Sequence, residues 1–263
     1  MIINRIHYRK KLPFFEDSQF YPKVSIITVV KNGQKYLERA IKSVLIQKYK
    51  NIEHIIVDGN STDNTNNIVK KYQKKIDLYI RAKDKNLWDA MNLGILNSKG
   101  SIIVFLNSDD IFYPNAVLYG VNYLKSRKID FVFGAVFKHF LKQGFNPIKF
   151  NWTFSSYTTH SIGFFIKKKS QMKIGLYDTR FLSADLDLFL RMIKKFKLRG
   201  VASKKNEVFG KFQLGGLSTK ISYTKHLKDL NEIRINNNQF YLYVYIMYIY
   251  KIVKNFKKFI LSK

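Results

Sequence analysis

The chain has 263 residues, of which 46% are hydrophobic, enough for the core of one large domain or of a domain with an appendage. It contains no cysteine, which excludes disulfide bonds and thiolate metal sites. A formal net charge of +29 attracts anions such as nucleic acid, anionic lipid or nucleotide-activated substrates. The sequence has no zinc-finger spacing, RNP motif or helix-turn-helix signature, so a nucleic-acid partner is not expected.

Residues 1–22 are predicted to form an irregular, basic N-terminal arm that ends at Pro22. Residues 1–9 alternate charged and apolar side chains and lack a continuous apolar stretch, so they do not have the pattern of a secretory signal. We therefore expect the protein in the cytoplasm.

Four short apolar segments then alternate with helical patterns. Segments rich in apolar residues predict buried strands over residues 24–30, 52–57, 78–80 and 102–106. Apolar residues at helical spacing predict helices near residues 36–45, 68–72 and 88–95. This alternation predicts an α/β fold with a doubly wound, mostly parallel sheet. The loops after Thr28, Val57 and Leu106 should then lie along one edge of that sheet.

The second half has a less regular pattern. Strands are predicted over residues 131–137 and 160–166. A helix is predicted over residues 184–195, with Ser183 as its N-cap. The apolar run from Phe240 to Tyr250 predicts a further helix near the C-terminus.

Asp109 and Asp110 follow a strand of five apolar residues. Burying one carboxylate costs several kcal/mol unless it is paired or bound to a cation, and two adjacent carboxylates cost more. We interpret the pair as the site of a divalent metal that bridges to an anionic ligand at the carboxyl end of a strand. The alternative is that Asp110 caps a helix before Pro114, but a cap needs only one Asp.

A second polar segment, from Asp58 to Asp63, also lies between a strand and a helix. Asp58 at the end of the strand is predicted to accept a hydrogen bond from a nucleobase or a sugar, while Ser61 or Asp63 caps the helix. No G-x-G-x-x-G fingerprint and no P-loop is present, which excludes dinucleotide-dependent oxidoreductases and P-loop NTPases. A nucleotide bound without a glycine cradle generally needs a metal to neutralise its phosphates.

Four segments in this order resemble family 2 glycosyltransferases with the GT-A fold. They are residues 24–32 (VSIITVVKN), 56–63 (IVDGNSTD), 88–94 (WDAMNLG) and 105–110 (FLNSDD). The resemblance covers residues 22–220. It implies a GT-A-like, doubly wound nucleotide-diphospho-sugar transferase fold. It also implies inverting transfer of a sugar from a nucleoside-diphosphate donor, for which we expect a UDP-sugar, with a divalent metal (Mn²⁺ or Mg²⁺).

The same resemblance implies a role for individual residues. Asp109 and Asp110 correspond to the metal motif of the family, and Asp185 corresponds to its catalytic base. The positions implied to bind the nucleotide or the donor are Thr28, Asp58, Asp89, Asn92, Asn107, Ser108 and Asp109. The positions implied to contact the acceptor or the diphosphate are His160, Gly215, Gly216 and Ser218.

The sequence departs from the family pattern at several points. Gly59 stands where many members have a second Asp, and the metal motif begins with Asn107 rather than Asp. His160 is followed by Ser161 where relatives often have a His-Gln pair. The Gln-x-x-Arg-Trp motif of processive synthases is absent, which favours an enzyme that adds a single sugar.

The catalytic assignment has structural alternatives. An inverting transfer needs a carboxylate that takes the proton of the acceptor hydroxyl, and a position at a helix start keeps Asp185 ionised. Alternatively, Asp185 and Asp187 only complement the helix dipole. His160 is either a ligand contact or a satisfied buried polar group. Trp88 and Trp152 either stack on sugars or belong to the core.

The predicted domains are an arm (1–22), a glycosyltransferase domain (23–220) with nucleotide-binding (23–112) and acceptor (113–220) halves, and a tail (221–263). The apolar run in the tail is too short for the ~20 residues of a spanning helix. It is predicted either to lie on an anionic membrane surface or to close the core. The first alternative, with a glycan or lipid-linked acceptor of lipopolysaccharide or capsule synthesis, predicts a peripheral protein at the inner face of a bacterial membrane.

Two other functions remain open from the sequence. One is a basic binder of nucleic acid or anionic membrane on an inactive transferase scaffold, which the net charge favours and the full set of carboxylates opposes. The other is a sugar nucleotidyltransferase, which is opposed by the lack of a glycine-rich N-terminal loop.

Overall fold

The structure is a computed structural model that describes residues 4–9, 21–83, 86–148, 161–213, 222–256 and 260. The chain divides into two compact units. The α/β unit comprises Met1–Phe145, Thr158–Leu176 and Leu198–Leu214. The helical unit comprises Asn146–Tyr157, Tyr177–Lys197 and Gly215–Lys263. The predicted boundaries at residues 112 and 220 stay predictions.

The α/β unit contains short strands and helices that alternate in its first part. Its strands are β1 (Asn4–Arg9), β2 (Val24–Val30), β3 (Ile52–Asp58), β4 (Leu78–Ala82), β5 (Ile102–Phe105), β6 (Ile111–Phe112), β7 (Phe131–Phe133), β8 (Ala135–Phe137), β9 (Leu141–Lys142), β10 (Phe164–Lys167), β11 (Gly200–Ala202) and β12 (Val208–Lys211). Its helices are α1 (Leu37–Leu45), α2 (Thr65–Lys71), α3 (Leu87–Asn97), α4 (Ala116–Leu124) and α5 (Lys168–Ile174).

The main sheet has eight strands in the order β1-β4-β3-β2-β5-β10-β7-β11. Strands β4, β3, β2 and β5 are parallel, whereas β10 runs antiparallel to both β5 and β7. A second sheet has four strands in the order β6-β12-β8-β9. The four predicted strands of residues 23–112 are confirmed, and so is the α/β architecture with a parallel centre.

Burial of the central strands on both faces explains why their sequences are rich in apolar residues. All seven residues of β2 are buried. Val24 and Ile26 pack in a cluster that includes Phe112 and Phe165, and Val30 packs in another with Leu37 of α1. A strand covered on both faces needs apolar residues at every position, and β2 has them at five of its seven positions.

The prediction of an irregular arm is wrong for residues 4–9. This segment is strand β1, which pairs antiparallel with β4 and forms an edge of the main sheet. Its mixed charged and apolar pattern is typical of an edge strand, since charges at an edge oppose pairing with another chain.

The single strand predicted over residues 131–137 is two strands in different sheets. Gly134 separates β7 in the main sheet from β8 in the second sheet. A Cβ atom at Gly134 would lie 2.3 Å from the ring of Phe209, so only glycine lets the chain pass this close to β12.

The helical unit contains α6 (Ala184–Leu190), which continues as a π-helical turn over Arg191–Lys195, and two longer helices, α7 (Tyr223–Asn236) and α8 (Tyr241–Lys254). The helix predicted over residues 184–195 is present, but its last part has π geometry. Ser183 occupies the predicted N-cap position, but its side chain makes no capping hydrogen bond. Within the described residues, no helix is both long enough and apolar enough to cross a membrane.

Candidate active site

The loops that carry the predicted site residues of the α/β unit share one edge of the main sheet. Strands β2, β3 and β5 are parallel neighbours, so their carboxyl ends point the same way. The N–H of Gly59 donates to the carbonyl of Val30, and the N–H of Ser108 donates to the carbonyl of Val29. The loops after β3 and β5 are therefore both attached to the end of β2, and the predicted convergence of Asp58 with the Asp109–Asp110 pair agrees with this topology.

Asp58 is fully buried, and other groups of the protein hold its carboxylate. Oδ1 accepts hydrogen bonds from the N–H and the hydroxyl of Ser61, at 2.8 and 2.6 Å. Oδ2 accepts one from the Tyr79 hydroxyl at 2.8 Å, and the Arg81 Nε lies 3.8 Å from it. These bonds fix the turn over residues 59–61 at the end of β3.

A second set of hydrogen bonds joins the loop after β2 to the loop after β3. The N–H of Asn32 donates to the Ser61 hydroxyl, and the Asn32 Oδ1 accepts from the N–H of Thr62. Asn32 has a φ of 53°, a left-handed conformation that Asn tolerates better than most residues. Neither Ser61 nor Asp63 is the N-cap of α2, which is Asn64; Asp63 lies one residue earlier, and its Oδ1 accepts from the N–H of Thr65, the first residue of the helix.

Asp109 and Asp110 have different surroundings although they are adjacent. Asp110 is fully buried, and it accepts hydrogen bonds from the N–H of Gln213 at 3.0 Å and from the Nδ2 of Asn107 at 3.2 Å. Burial raises the pKa of Asp110 well above its usual range, and the neighbouring charge of Asp109 raises it further. Asp109 is half-buried, and burial also raises its pKa. Asp110 does not cap a helix, because α4 begins only at Ala116.

The chemistry of this loop fits a hard divalent cation. Both carboxylates lie in surroundings that disfavour negative charge, and the Oδ1 of Asn107 is a buried acceptor that has no hydrogen-bond partner. Oxygen ligands of this kind suit Mg²⁺ or Mn²⁺. Among the described residues no group of three or more His, Cys, Asp or Glu side chains could hold a metal.

The other predicted donor residues of this unit have more varied positions. Thr28 is fully buried in β2, where its hydroxyl lies 3.0 Å from the Nε2 of His54. Asp89 and Asn92 are half-buried on α3, whose N-cap Asn86 accepts from the N–H groups of Trp88 and Asp89. His160, Gly215, Gly216, Ser218 and Trp152 lie outside the described residues. The neighbour of His160, Ser161, accepts a hydrogen bond from Asn107 at 3.1 Å.

In the helical unit, the structure separates Asp185 from Asp187. Asp187 is buried and forms an ion pair with Arg191 at 2.8 Å, and its second oxygen accepts from the amide of Asn237 on α7. Asp185 is only half-buried, and its Oδ1 accepts from the N–H of Leu186. The alternative of a purely structural carboxylate therefore describes Asp187 well.

Two residues near Asp185 were not identified from the sequence as part of its surroundings. Asp229 on α7 accepts hydrogen bonds from the N–H groups of Leu182 and Ser183, both at 2.8 Å, and so satisfies the N–H of the N-cap residue at the start of α6. Tyr177 is buried; burial raises the pKa of its hydroxyl, and the negative charge of Asp185 adds to this rise. A carboxylate 46 or 47 residues away along the chain leaves no local pattern that could have indicated it.

Two of the most similar relatives match less than half of the chain. A glycosyltransferase of Rickettsia prowazekii (strain Madrid E), itself named as uncharacterised, is 42% identical over 105 residues, which are 40% of this chain and 33% of that protein. Glycosyltransferase GlyA of Streptococcus pneumoniae serotype 4 is 36% identical over 90 residues, 34% of this chain and 13% of that protein. The match thus spans about a third or less of these relatives.

Solved structures of glycosyltransferases have the same fold. Residues 1–349 of Staphylococcus aureus TarS in complex with UDP-GlcNAc match 84% of this chain and 69% of that one, with a TM-score of 0.66 and 15% identity. The mannosyltransferase PcManGT of Pyrobaculum calidifontis, in complex with GDP-Man and Mn²⁺, matches 83% and 65%, with a TM-score of 0.65 and 16% identity. The predicted GT-A-like fold is confirmed.

The family model described as Glycosyl transferase family 2 matches residues 25–194, which is more than half of the chain. This range contains three of the four segments on which the resemblance was based, and all but the first residue of the segment 24–32. The chain therefore belongs to glycosyltransferase family 2.

Proposed function

We propose that the chain transfers a single sugar, with inversion, from a UDP-sugar to a glycan or lipid-linked acceptor of a bacterial surface polysaccharide such as lipopolysaccharide or capsule. One observation carries this proposal. The turn that Asp58 holds and the Asp109–Asp110 loop are both hydrogen-bonded to the end of β2, at the edge where α/β sheets bind their ligands.

The nucleoside would bind against the turn at the end of β3. The oxygens of Asp58 already accept hydrogen bonds from Ser61 and Tyr79. Asp58 would therefore contribute to nucleoside binding by fixing this turn, without moving when the nucleoside binds. The TarS structure in complex with UDP-GlcNAc supports a uridine nucleotide as the first candidate for the donor. Asp89, Asn92 and Ser108 would contact other parts of the donor.

Asp109 and Asp110 would hold the divalent cation, with Asn107 beside them. When bound, the cation would neutralise the diphosphate of the donor and stabilise it as a leaving group. The PcManGT structure with Mn²⁺ supports Mn²⁺ as the first ion to test.

Asp185 would act as the catalytic base. It would accept the proton of the acceptor hydroxyl while the oxygen of that hydroxyl forms its bond to the anomeric carbon and the nucleoside diphosphate departs. Its position at the start of α6 favours the ionised carboxylate, and Asp229 and Tyr177 fix its surroundings. We place the reaction in the cytoplasm at the inner face of the cell membrane, where a lipid-linked acceptor would be available.

The experiment that tests the function is mass spectrometry of a panel of nucleotide sugars incubated with the purified chain, a candidate acceptor, and either Mn²⁺ or a chelator. We expect one UDP-sugar to be consumed and UDP released only when the metal is present. Release of pyrophosphate would instead indicate a nucleotidyltransferase, and consumption of no sugar nucleotide would contradict the proposal.

Calorimetry of UDP binding provides an independent measurement for the metal residues. Asp109→Asn should weaken UDP binding in the presence of Mn²⁺ and leave any metal-free binding unchanged. Glu38→Gln is the matched control, because Glu38 forms exposed ion pairs with Lys42 and Lys71 on α1 and α2. Equal binding by both variants and the natural chain would remove Asp109 from the metal site.

A further inference from the structure

The outer side of α8 carries a continuous row of exposed apolar and aromatic side chains. We call this row the α8 stripe, and it consists of Leu242, Tyr245, Ile246, Ile249 and Val253. Their exposed fractions lie between 45% and 69%, and their spacing of three or four residues aligns them on one helix face. Large apolar side chains are rarely exposed in such a contiguous row unless they contact a partner.

The opposite side of α8 accounts for its attachment to the helical unit. Val244 is only 1% exposed, and the Tyr223 hydroxyl of α7 donates to the backbone carbonyl of Lys251. These contacts hold the helix from one side, and the α8 stripe lies on the other side.

The charged residues at this end of the sequence are all of one sign. From Ile233 to the last residue the sequence contains no Asp or Glu, but it contains five lysines and Arg234, which is buried. Lys254 is exposed, and its ammonium lies 5.6 Å from the ring of Tyr250. A second copy of this chain would bring the same positive charge to the same face, whereas an anionic surface would neutralise it.

We propose that the α8 stripe binds the surface of an anionic lipid bilayer, with α8 lying in the plane of the membrane. The helix has 14 residues, too few to span a bilayer but sufficient to lie along it. Tyrosine side chains such as Tyr245 and Tyr250 suit the interfacial layer, and lysines at the end of the helix suit anionic headgroups. Membrane binding by this stripe is a property separate from the transfer reaction. Vesicle binding and sugar transfer are measured independently, so a negative result in one test is distinguishable from a negative result in the other.

The test is sedimentation of the full chain with vesicles of phosphatidylcholine alone or with about 30% phosphatidylglycerol, near physiological salt. We expect binding to the anionic vesicles and little to the neutral ones. The variant Ile246→Glu/Ile249→Glu should bind the anionic vesicles at least about tenfold more weakly, because two apolar side chains become charged at the interface.

The matched control is Ile46→Glu/Leu96→Glu. It makes the same charge change at two side chains of the α/β unit that are 56% and 57% exposed. Because a chain of this net charge binds anionic surfaces in general, only a loss confined to the α8 variant supports the proposal. Equal binding by the two variants, or no binding by the natural chain, would overturn it.

A second measurement does not depend on how well the glutamate variant folds. The chain has no cysteine, so an environment-sensitive dye can be attached at Ile249→Cys or, as a control, at Ile46→Cys. Anionic vesicles should shift the emission of the first dye to the blue and leave the second unchanged. If light scattering instead shows a dimer that Ile246→Glu/Ile249→Glu separates, a second copy covers the stripe and the lipid proposal is wrong.

Discussion

At the start of α6, two carboxylates two positions apart have separate tasks. Asp187 is committed to Arg191 and Asn237, which join α6 to its own next turn and to α7. Asp185 is half-buried beside Tyr177. Because Asp185 is the less buried of the two, it is the better candidate for the proposed base.

Asp185→Asn should therefore lower kcat by roughly 10²–10⁴-fold, the contribution usual for a general base, with little change in UDP binding. Asp178→Asn is the control, since Asp178 in the same unit forms an ion pair with the exposed Arg180. Steady-state kinetics of both variants make the comparison. A kcat for Asp185→Asn within a few-fold of the natural value would exclude it as the base.

The buried side chain of His54 should make the stability of the fold decrease at acidic pH. It is buried beside Thr28, and burial lowers its pKa from 6.5 to about 3. Between pH 6.5 and about 3, His54 is therefore protonated in the unfolded chain and neutral in the folded chain. Above pH 6.5 it is neutral in both states, so its contribution to the stability of the folded state is fully present there. That contribution falls by about 1.4 kcal/mol per pH unit as the pH decreases from 6.5 toward 3.

Urea unfolding between pH 5 and 7 measures this effect. We expect the free energy of unfolding of the natural chain to decrease toward pH 5, and His54→Gln to remove most of that slope even if it lowers stability at pH 7. A slope that is the same in both proteins would assign the acid sensitivity to other groups.

At the scale of elements, α3 lies against β2 through a glycine. A Cβ atom at Gly94 would lie 2.3 Å from the Cγ2 of Ile27, a fully buried residue of β2. Gly94→Val should destabilise the fold by about 1–3 kcal/mol, because the inserted side chain overpacks this contact. Leu96→Val on the exposed side of the same helix should change stability by less than about 0.5 kcal/mol. Thermal unfolding of both variants tests the difference.

The elements that the sequence predicted well are those with strong local patterns. Strands β2, β3 and β5 are rich in apolar residues, and the parallel arrangement predicted from them places Asp58 and the Asp109–Asp110 pair at one edge. The edge strand β1 was missed because its pairing with β4, more than seventy residues later, has no local signature.

Other features depend on contacts between distant parts of the chain. The break at Gly134 depends on the ring of Phe209, and the fixed orientation of Asp58 depends on Tyr79. The N–H of the N-cap residue of α6 is satisfied by Asp229 on α7. None of these contacts follows from spacing, so the sequence could not predict how these residues are held.

At the scale of the whole molecule, the net charge of +29 should accelerate the arrival of an anionic donor. Raising the ionic strength from about 50 to 300 mM shortens the screening length, so kcat/KM for a nucleotide sugar should fall several-fold while kcat changes little. Initial rates at constant Mn²⁺ measure both values. An uncharged osmolyte at matched viscosity is the control, and a fall in kcat alone would indicate an effect on the chemical step instead.

The hydrogen bond from Gln213 to Asp110 has a consequence for how this site tolerates sequence change. The donor is the backbone N–H, which every residue except proline possesses. In a mutational scan, position 213 should accept Ala with little loss, whereas Gln213→Pro should weaken Mn²⁺-dependent UDP binding about tenfold or more, in line with loss of a hydrogen bond to a charged group. Most side-chain substitutions at position 213 should thus be tolerated during evolution, whereas changes in the main-chain conformation beside Asp110 should not.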